Sequence, residues 1–154
     1  MTKRDELTVP KSFCNALAQE LENILNITAK IVFNIVIMLS QTMNKIKCPV
    51  NTFCYSMAAS MAAVILACGE KRYAFKHSKI MIHQPLLNFE GRYRQSDLSV
   101  EARELEETRF DLETILTDST KGKTTFEEMH KACEKDNYLK PEVALKMGLI
   151  DEIV

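Results

Sequence analysis

The chain has 154 residues and a mass of 17.6 kDa, enough for one domain with a buried core. Its composition, 46% hydrophobic and 27% charged, is typical of a globular protein and argues against disorder. The 20 lysines and arginines nearly balance the 21 acidic residues, which argues against a nucleic-acid-binding protein. We therefore expect a single domain over residues 1–154 with no nucleic-acid partner.

The cysteines and the apolar runs narrow the class further. Five scattered cysteines show no CxxC or CxxxH spacing, which argues against a zinc site and favours a reducing compartment. The most apolar run, residues 31–39, is about half the ~18 residues that a membrane span needs, and Asn34 interrupts it. No apolar segment directly follows the N-terminal residues, so a secretory signal is not expected. These features predict an intracellular protein without a metal, a cofactor or a membrane anchor.

The N-terminal third contains two segments with apolar periodicity. Ser12 is a suitable cap for a helix over residues 12–25, whose apolar side chains share one face. Residues 31–36 are β-branched and apolar and fit either a buried strand or a helix. Apolar residues then recur at helical spacing up to the break at Pro49: Ile35, Leu39, Met43 and Ile46.

The middle of the chain predicts strands alternating with a helix, as in an α/β protein. Residues 50–55 have the composition of a short strand. The small apolar residues 56–68 predict a buried helix with Gly69 as its C-cap. Short strands are then expected at residues 72–75 and 79–82, on either side of a turn.

A long helix is expected over residues 96–117, which are rich in glutamate and arginine. Its apolar residues recur close to every 3.5 positions, in a seam that Arg109 interrupts: Leu98, Ala102, Leu105, Leu112 and Leu116. A helix of about twenty residues is about 30 Å long, the width of a small domain. We therefore expect it to project beyond its own globule.

The C-terminal residues predict two further helices and a strand. Thr125 and Glu128 form a capping box at the start of one helix. Pro141 suits the first turn of a second helix, which is expected to stop at Gly148. The apolar segment 149–154 is expected to close the chain as a short strand or edge.

Ser60 is the first candidate for chemistry. It lies in the segment MAASMAA, where a tight turn would expose its hydroxyl and the following backbone N–H groups would face a developing oxyanion. The GxSxG pattern of a nucleophile elbow is absent. A serine in this position is also a common helix cap, and the segment alone leaves both interpretations open.

His83 and Asp136 are candidate partners of such a serine. His83 ends an apolar strand before Pro85, where a scaffold presents a base to a cleft, although a half-buried histidine bonded to backbone fits the same pattern. Asp136 has the chemistry to orient an imidazole, but a lone aspartate in a charged turn is usually only solvated. His77 and His130 are expected to be surface residues.

The order Ser60, His83, Asp136, with the sequence segments around these residues, resembles the pattern of the Clp protease proteolytic subunit (ClpP) family. The resemblance runs from Thr42 onward and is carried by AASMAA, KIMIHQPL, ARELEETRFDLETIL, EKDNYL and GLIDEIV. It implies an α/β fold, a crotonase-like stack of ββα units. In that family the long helix is the handle that interdigitates two heptameric rings into a closed barrel.

The resemblance also implies a serine peptidase site. Ser60 would be the nucleophile, His83 the general base that takes its proton, and Asp136 the carboxylate that orients His83. The backbone N–H of Met61 would be one donor of the oxyanion hole.

The N-terminal residues depart from the family pattern. The family places a Gly-Gly pair, which supplies the second oxyanion donor, at positions that correspond to about Lys30 and Ile31, whereas the first glycine here is Gly69. Residues 1–39 do not match the family's N-terminal strands and axial loops, which implies a divergent or truncated segment. We therefore expect a half-built oxyanion hole and weak activity.

The resemblance favours a serine endopeptidase subunit that cuts unfolded polypeptides inside a tetradecameric chamber, in the cytoplasm or in the plastid stroma. An AAA+ unfoldase on a separate chain would feed the chamber, because this chain has no GxxxxGK[ST] motif for ATP hydrolysis. The missing glycines favour an alternative, a weakly active or inactive structural ring subunit. The IHQP segment argues against a third hypothesis, a crotonase-like acyl-CoA enzyme.

Overall fold

The computed structural model describes residues 31–87 and 92–154, and the helix expected at residues 12–25 lies outside them. Helix α1 is followed from residue 31 to residue 45. The later elements are β1 (Asn51–Cys54), β2 (Met57–Ala59), α2 (Met61–Ala67), β3 (Lys71–Ala74), β4 (Lys79–Ile82), α3 (Gln95–Ser119), α4 (Phe126–Ala132), β5 (Asn137–Leu139), α5 (Pro141–Met147) and β6 (Glu152–Ile153).

The described strands form two three-stranded sheets, in the orders β1-β3-β6 and β2-β4-β5. Each pair of strands is parallel except β4 and β5, which are antiparallel. Strands β1 and β3 belong to the first sheet, whereas β2 and β4, the strands that follow each of them in the chain, belong to the second sheet. The mixed α/β class expected from the sequence is confirmed.

The hydrophobic core surrounds α2, whose apolar residues are small enough for close packing. Ala63, Val64, Leu66 and Ala67 of this helix are buried. Side chains from the second sheet, the two following helices and the C-terminal segment complete the core: Ile80, Ile82, Leu112, Leu116, Met129, Leu149 and Ile150. The core therefore lies directly behind the turn that carries Ser60.

The buried helix expected over residues 56–68 is wrong in its first part. Residues 57–59 form β2, which pairs with β4, and helix α2 begins only at Met61. Pairing with a neighbouring strand overrides the helix preference of the alanines. Gly69 is not a left-handed cap, because its φ is not positive; α2 ends at Ala67 with Cys68 as its C-cap. Glycine is needed at position 69 because a Cβ there would lie 2.3 Å from Thr52 Oγ1.

Residues 31–45 are helical, which decides the choice left open at residues 31–36. Of the apolar residues at helical spacing, Met43 packs against the core, whereas Ile35 and Leu39 of α1 and Ile46 beyond it are exposed. Val36 is the buried residue, and Phe33 packs against the core beside it. In the part of the chain that the structure describes, no helix combines the length and the hydropathy that crossing a membrane requires.

Helix α3 has 25 residues and is therefore about 37 Å long. It extends beyond the expected range of 96–117 at both ends. Leu112 and Leu116 are buried in the core of their own domain, whereas Leu98 is 42% exposed. The expected seam is therefore divided: its C-terminal part packs on the domain and its N-terminal part faces outward. The role of α3 as a handle between rings stays a prediction.

The C-terminal helices begin and end as expected. Thr125 and Glu128 form the capping box of α4, and Pro141 opens α5, which ends at Gly148 in a left-handed conformation with φ 86°. The structure adds one strand, β5, in the stretch expected to be a charged turn. This strand pairs with β4 and so reaches the end of the strand that precedes His83.

Candidate active site

Ser60 occupies a strained turn between β2 and α2. Its φ of 56° and ψ of −121° lie in a region that a residue with a side chain rarely adopts. Its backbone N–H donates to the carbonyl of Met81 at 2.8 Å, which anchors the turn to β4. Its hydroxyl makes no capping hydrogen bond to α2. The helix-cap interpretation of the hydroxyl is therefore wrong.

The Ser60 hydroxyl faces His83, the residue that follows β4. Ser60 Oγ lies 2.8 Å from Nε2 of His83, a hydrogen-bond distance. The imidazole is largely enclosed, with 15% of its side chain exposed. A serine hydroxyl beside an imidazole nitrogen is the pair that nucleophilic catalysis by serine requires.

Asp136 approaches the other ring nitrogen of His83. Its Oδ1 lies 3.1 Å from His83 Nδ1, and its side chain is 57% exposed. Although this distance suits an ion pair, Nδ1 is not aligned for a hydrogen bond with any described residue. Asp136 reaches this position because it directly precedes β5, in which Asn137 pairs with Ile82. The structure therefore places the imidazole of His83 between Ser60 and Asp136, with one ring nitrogen near each of them.

The backbone N–H groups at the start of α2 lie beside the serine. Ala63 and Val64 donate to the carbonyl of Ser60, so the N–H groups of Met61 and Ala62 lack an acceptor within the helix. The N–H of Met61 is therefore available to a negatively charged oxygen near Ser60. Of the two positions expected to hold the second donor, Lys30 lies outside the described residues. Ile31 belongs to α1 and is 51% exposed.

Ser60 and His83 line a cleft of about 580 Å³, a size common for ligand pockets. The first described turn of α1 and residues of α3 both contribute to its lining. Most lining residues are apolar, among them Val32, Phe33, Met61, Val64, Ile82, Leu105, Leu112 and Leu116. A cleft of this lining can enclose apolar side chains of a bound chain.

A buried carboxylate that was not predicted from the sequence, Glu113, also lines the cleft. Glu113 is 3% exposed, and its Oε1 accepts a hydrogen bond from Arg109 Nε at 2.8 Å. Its Oε2 lies 2.7 Å from Nδ1 of His130. The signal was present in the sequence, because Arg109 interrupts the apolar seam four residues before Glu113, at the spacing of a helical ion pair.

Cys133 also lines the cleft but is not a second candidate nucleophile. Its side chain is fully buried. Burial, with the nearby charge of Glu113, raises the pKa of the Cys133 thiol to about 12. Because the thiolate is the reactive form of cysteine, this residue stays inert at neutral pH.

Comparison with known families agrees with this geometry. The family model described as Clp protease matches residues 32–154, which include Ser60, His83 and Asp136. The match begins at residue 32, ahead of Thr42, where the motif resemblance begins. The roles of the three residues in catalysis stay predictions. Because the match covers well over half of the sequence, the chain belongs to the Clp protease family.

Proposed function

We propose that this chain is a serine endopeptidase subunit with Ser60 as its nucleophile. The observation that carries the proposal is the 2.8 Å contact between Ser60 Oγ and His83 Nε2, made from a strained turn at the start of a helix. Backbone strain of this kind persists only where the surrounding structure holds it in place, and it is common at active sites. Membership of the Clp protease family supports the reaction class.

The geometry supports acyl transfer in two steps. Ser60 Oγ attacks the peptide carbonyl carbon as His83 Nε2 takes the hydroxyl proton, and the tetrahedral oxygen accepts a hydrogen bond from Met61 N–H. His83 then donates that proton to the leaving amine. A water molecule attacks the acyl-enzyme in the same way and frees Ser60. Asp136 favours the tautomer that carries its proton on Nδ1 and stabilises the imidazolium.

The proposed substrates are unfolded polypeptides, cut inside a chamber of two heptameric rings. The family assignment supports ring assembly and an AAA+ unfoldase as partner. The outward part of α3 supports self-association, since Leu98 and Val100 are exposed there at 42% and 50%. Apolar side chains that face water on an extended helix favour contact with a second chain.

A weakly active structural ring subunit is the second candidate. It is favoured by Ile31, a β-branched residue in a helix at one of the positions where the family has its glycine pair. It is also favoured by the poor alignment between Asp136 and His83 Nδ1. Both features weaken catalysis without preventing assembly.

Peptide hydrolysis by the assembled protein separates the two candidates. The oligomeric fraction from size-exclusion chromatography with light scattering is assayed with a small fluorogenic peptide, beside Ser60→Ala. Ser56→Ala is the matched control, because Ser56 is exposed and lies four residues earlier in the same segment. The enzyme predicts turnover that Ser60→Ala abolishes and Ser56→Ala keeps. Large rings in which the wild-type chain is no faster than Ser60→Ala support the structural subunit instead.

A further inference from the structure

Gln84, the residue after His83, makes two hydrogen bonds to the segment that carries Asp136. Its backbone N–H donates to the carbonyl of Cys133 at 2.6 Å. Its side-chain Nε2 donates to the carbonyl of Glu134 at 2.8 Å. Both acceptors belong to residues 133–136, which connect α4 to β5 and end at Asp136.

Asp136 needs such an anchor because its own contacts are few. More than half of its side chain is exposed, and the contact with His83 Nδ1 is not aligned as a hydrogen bond. The segment is held from its other end by Asn137, whose side chain donates to the carbonyl of Ala132 at 3.0 Å. A carboxylate on a short exposed connection keeps one position only if the backbone that carries it is fixed.

We propose that Gln84 is a positioning residue: it ties the segment 133–136 to the chain next to His83 and so sets the approach of Asp136 to Nδ1. The catalytic consequence rests on the proposed function, whereas the effect of the Gln84 hydrogen bonds on the segment 133–136 does not. Gln84 also lines the cleft, so contact with substrate is the competing role. That role would appear in KM, whereas positioning of Asp136 appears in kcat.

Hydrogen exchange of the full chain tests the tie without reference to activity. Gln84→Ala removes the side-chain donor, and Gln84→Glu removes it while keeping the size and shape of the side chain. Both are expected to raise exchange across residues 133–137. Gln95→Ala is the matched control, because Gln95 also donates through its amide, to Ser99 Oγ at 3.0 Å on α3. Unchanged exchange in both Gln84 variants would overturn the proposal.

A double-mutant cycle tests whether Gln84 acts through Asp136. The rate at which a fluorophosphonate labels Ser60 is measured for the wild-type chain, Gln84→Ala, Asp136→Asn and the double variant. Gln84→Ala alone is expected to lower the rate by about 10–100-fold. In the Asp136→Asn background the same change is expected to have almost no effect, because residues that act as a unit are not additive.

The outcomes separate the two proposals. An equal loss in both backgrounds, or a raised peptide KM with unchanged kcat, overturns the positioning role of Gln84 while leaving the peptidase in place. A wild-type chain that does not label contradicts the proposed function, and in that case hydrogen exchange still decides whether Gln84 ties the segment.

Discussion

The turn at Ser60 keeps a conformation that costs a residue with a side chain of order 1–3 kcal/mol. The hydrogen bond from Ser60 N–H to the Met81 carbonyl holds the turn against β4, and the packing of α2 holds its other side. The result is a hydroxyl that faces His83 instead of capping the helix. Strain at this residue is therefore directly linked to the position of the proposed nucleophile.

Replacement of Ser60 by glycine and by alanine measures this strain. Both variants lose the hydroxyl, but only glycine adopts a φ of 56° without steric cost. We expect Ser60→Gly to be more stable than Ser60→Ala by about 1 kcal/mol, the relief of strain less the added freedom of the unfolded chain. Urea unfolding followed by circular dichroism gives the difference. Equal stabilities would mean that the strain is no larger than the cost of that added freedom, about 0.4–1 kcal/mol, and a more stable Ser60→Ala would mean that the turn is not strained.

The proposed oxyanion hole has one assigned donor among the described residues where two are expected, which predicts slow turnover. The loss of one preorganised donor costs about 10²–10³ in kcat, or roughly 2.7–4 kcal/mol. Met61 N–H is the one donor assigned among the described residues. We therefore expect kcat for a small fluorogenic peptide to be lower, by that factor, than the kcat of an ordinary Clp peptidase. The measurement uses assembled protein, with Ser60→Ala as the blank. Turnover at the ordinary level would show that another backbone group completes the hole.

At the scale of the elements, α3 joins two different environments in one helix. Its C-terminal part contributes Leu112 and Leu116 to the core, while Leu98 faces outward near its start. A change at one end should therefore affect folding, and a change at the other end should affect association.

Two leucine substitutions distinguish these environments. Leu112→Ala is expected to lower the free energy of unfolding by about 2–5 kcal/mol, because it leaves a cavity in the core. Leu98→Glu is expected to leave the melting temperature nearly unchanged and to lower the mass of the oligomer in analytical ultracentrifugation, because it puts charge into the proposed contact between chains. An unchanged mass for Leu98→Glu would mean that the outward part of α3 does not take part in assembly.

The junction of α2 and β1 depends on the absence of a side chain at Gly69. Thr52 Oγ1 donates to the carbonyl of Leu66 at 2.7 Å, in the space that a Cβ at position 69 would need. We expect Gly69→Ala to destabilise the domain by about 1–3 kcal/mol through overpacking. The double variant Gly69→Ala/Thr52→Ala is the control, since it removes the clashing side chain. If Gly69→Ala alone unfolds at the wild-type urea concentration, the close approach is not a constraint.

At the scale of the whole molecule, Arg72 links distant parts of the chain. It is buried at 1% exposure and binds both carboxylate oxygens of Asp151, at 2.8 and 2.7 Å. It also donates to the carbonyls of Ala67 and Ser119. The ends of α2 and α3 and the C-terminal segment therefore meet at one guanidinium.

This pair predicts a dependence of stability on pH. The hydrogen bond from Arg72 holds the pKa of Asp151 well below its usual range. Its contribution is complete above the unfolded pKa of about 3.9 and is lost as pH falls towards the folded pKa. Asp151→Asn is expected to cost about 3–5 kcal/mol at pH 7, because it leaves Arg72 buried without its counter-ion.

The difference between wild-type and Asp151→Asn stabilities should shrink as the pH falls from about 5 to about 3. Urea unfolding at several pH values checks this, and Asp118→Asn is the matched control on an exposed aspartate at the end of α3. A difference that stays constant down to pH 3 would mean that the charge of Asp151 does not stabilise the fold.

Local patterns in the sequence predicted some elements and missed others for physical reasons. The capping box at Thr125 and the stop at Gly148 are local signals, and both helices follow them. Strands β2 and β5 were missed because neither has strand composition of its own. They exist only through pairing with β4, and this contact is not visible in a local window.

The candidate site, like the fold, could be predicted from the sequence only in part. From the residues alone, Ser60 fitted a helix cap as well as a nucleophile, and it was the resemblance to a family that placed His83 and Asp136 beside it. The contacts of Gln84 were not expected, because they depend on the pairing of β4 with β5. Glu113 was not expected because its burial results from the packing of α4 on α3.

Site-mapped labelling tests the central claim most directly, that Ser60 is a nucleophile activated by His83. The chain is treated with a fluorophosphonate, and the modified residue is located by tandem mass spectrometry of its peptides. We predict modification of Ser60 in the wild-type chain and in Ser56→Ala, with none in Ser60→Ala and at least a hundredfold slower labelling, on the order of a lost general base, in His83→Ala. Labelling that is absent from Ser60, or equally fast in His83→Ala, would contradict the claim.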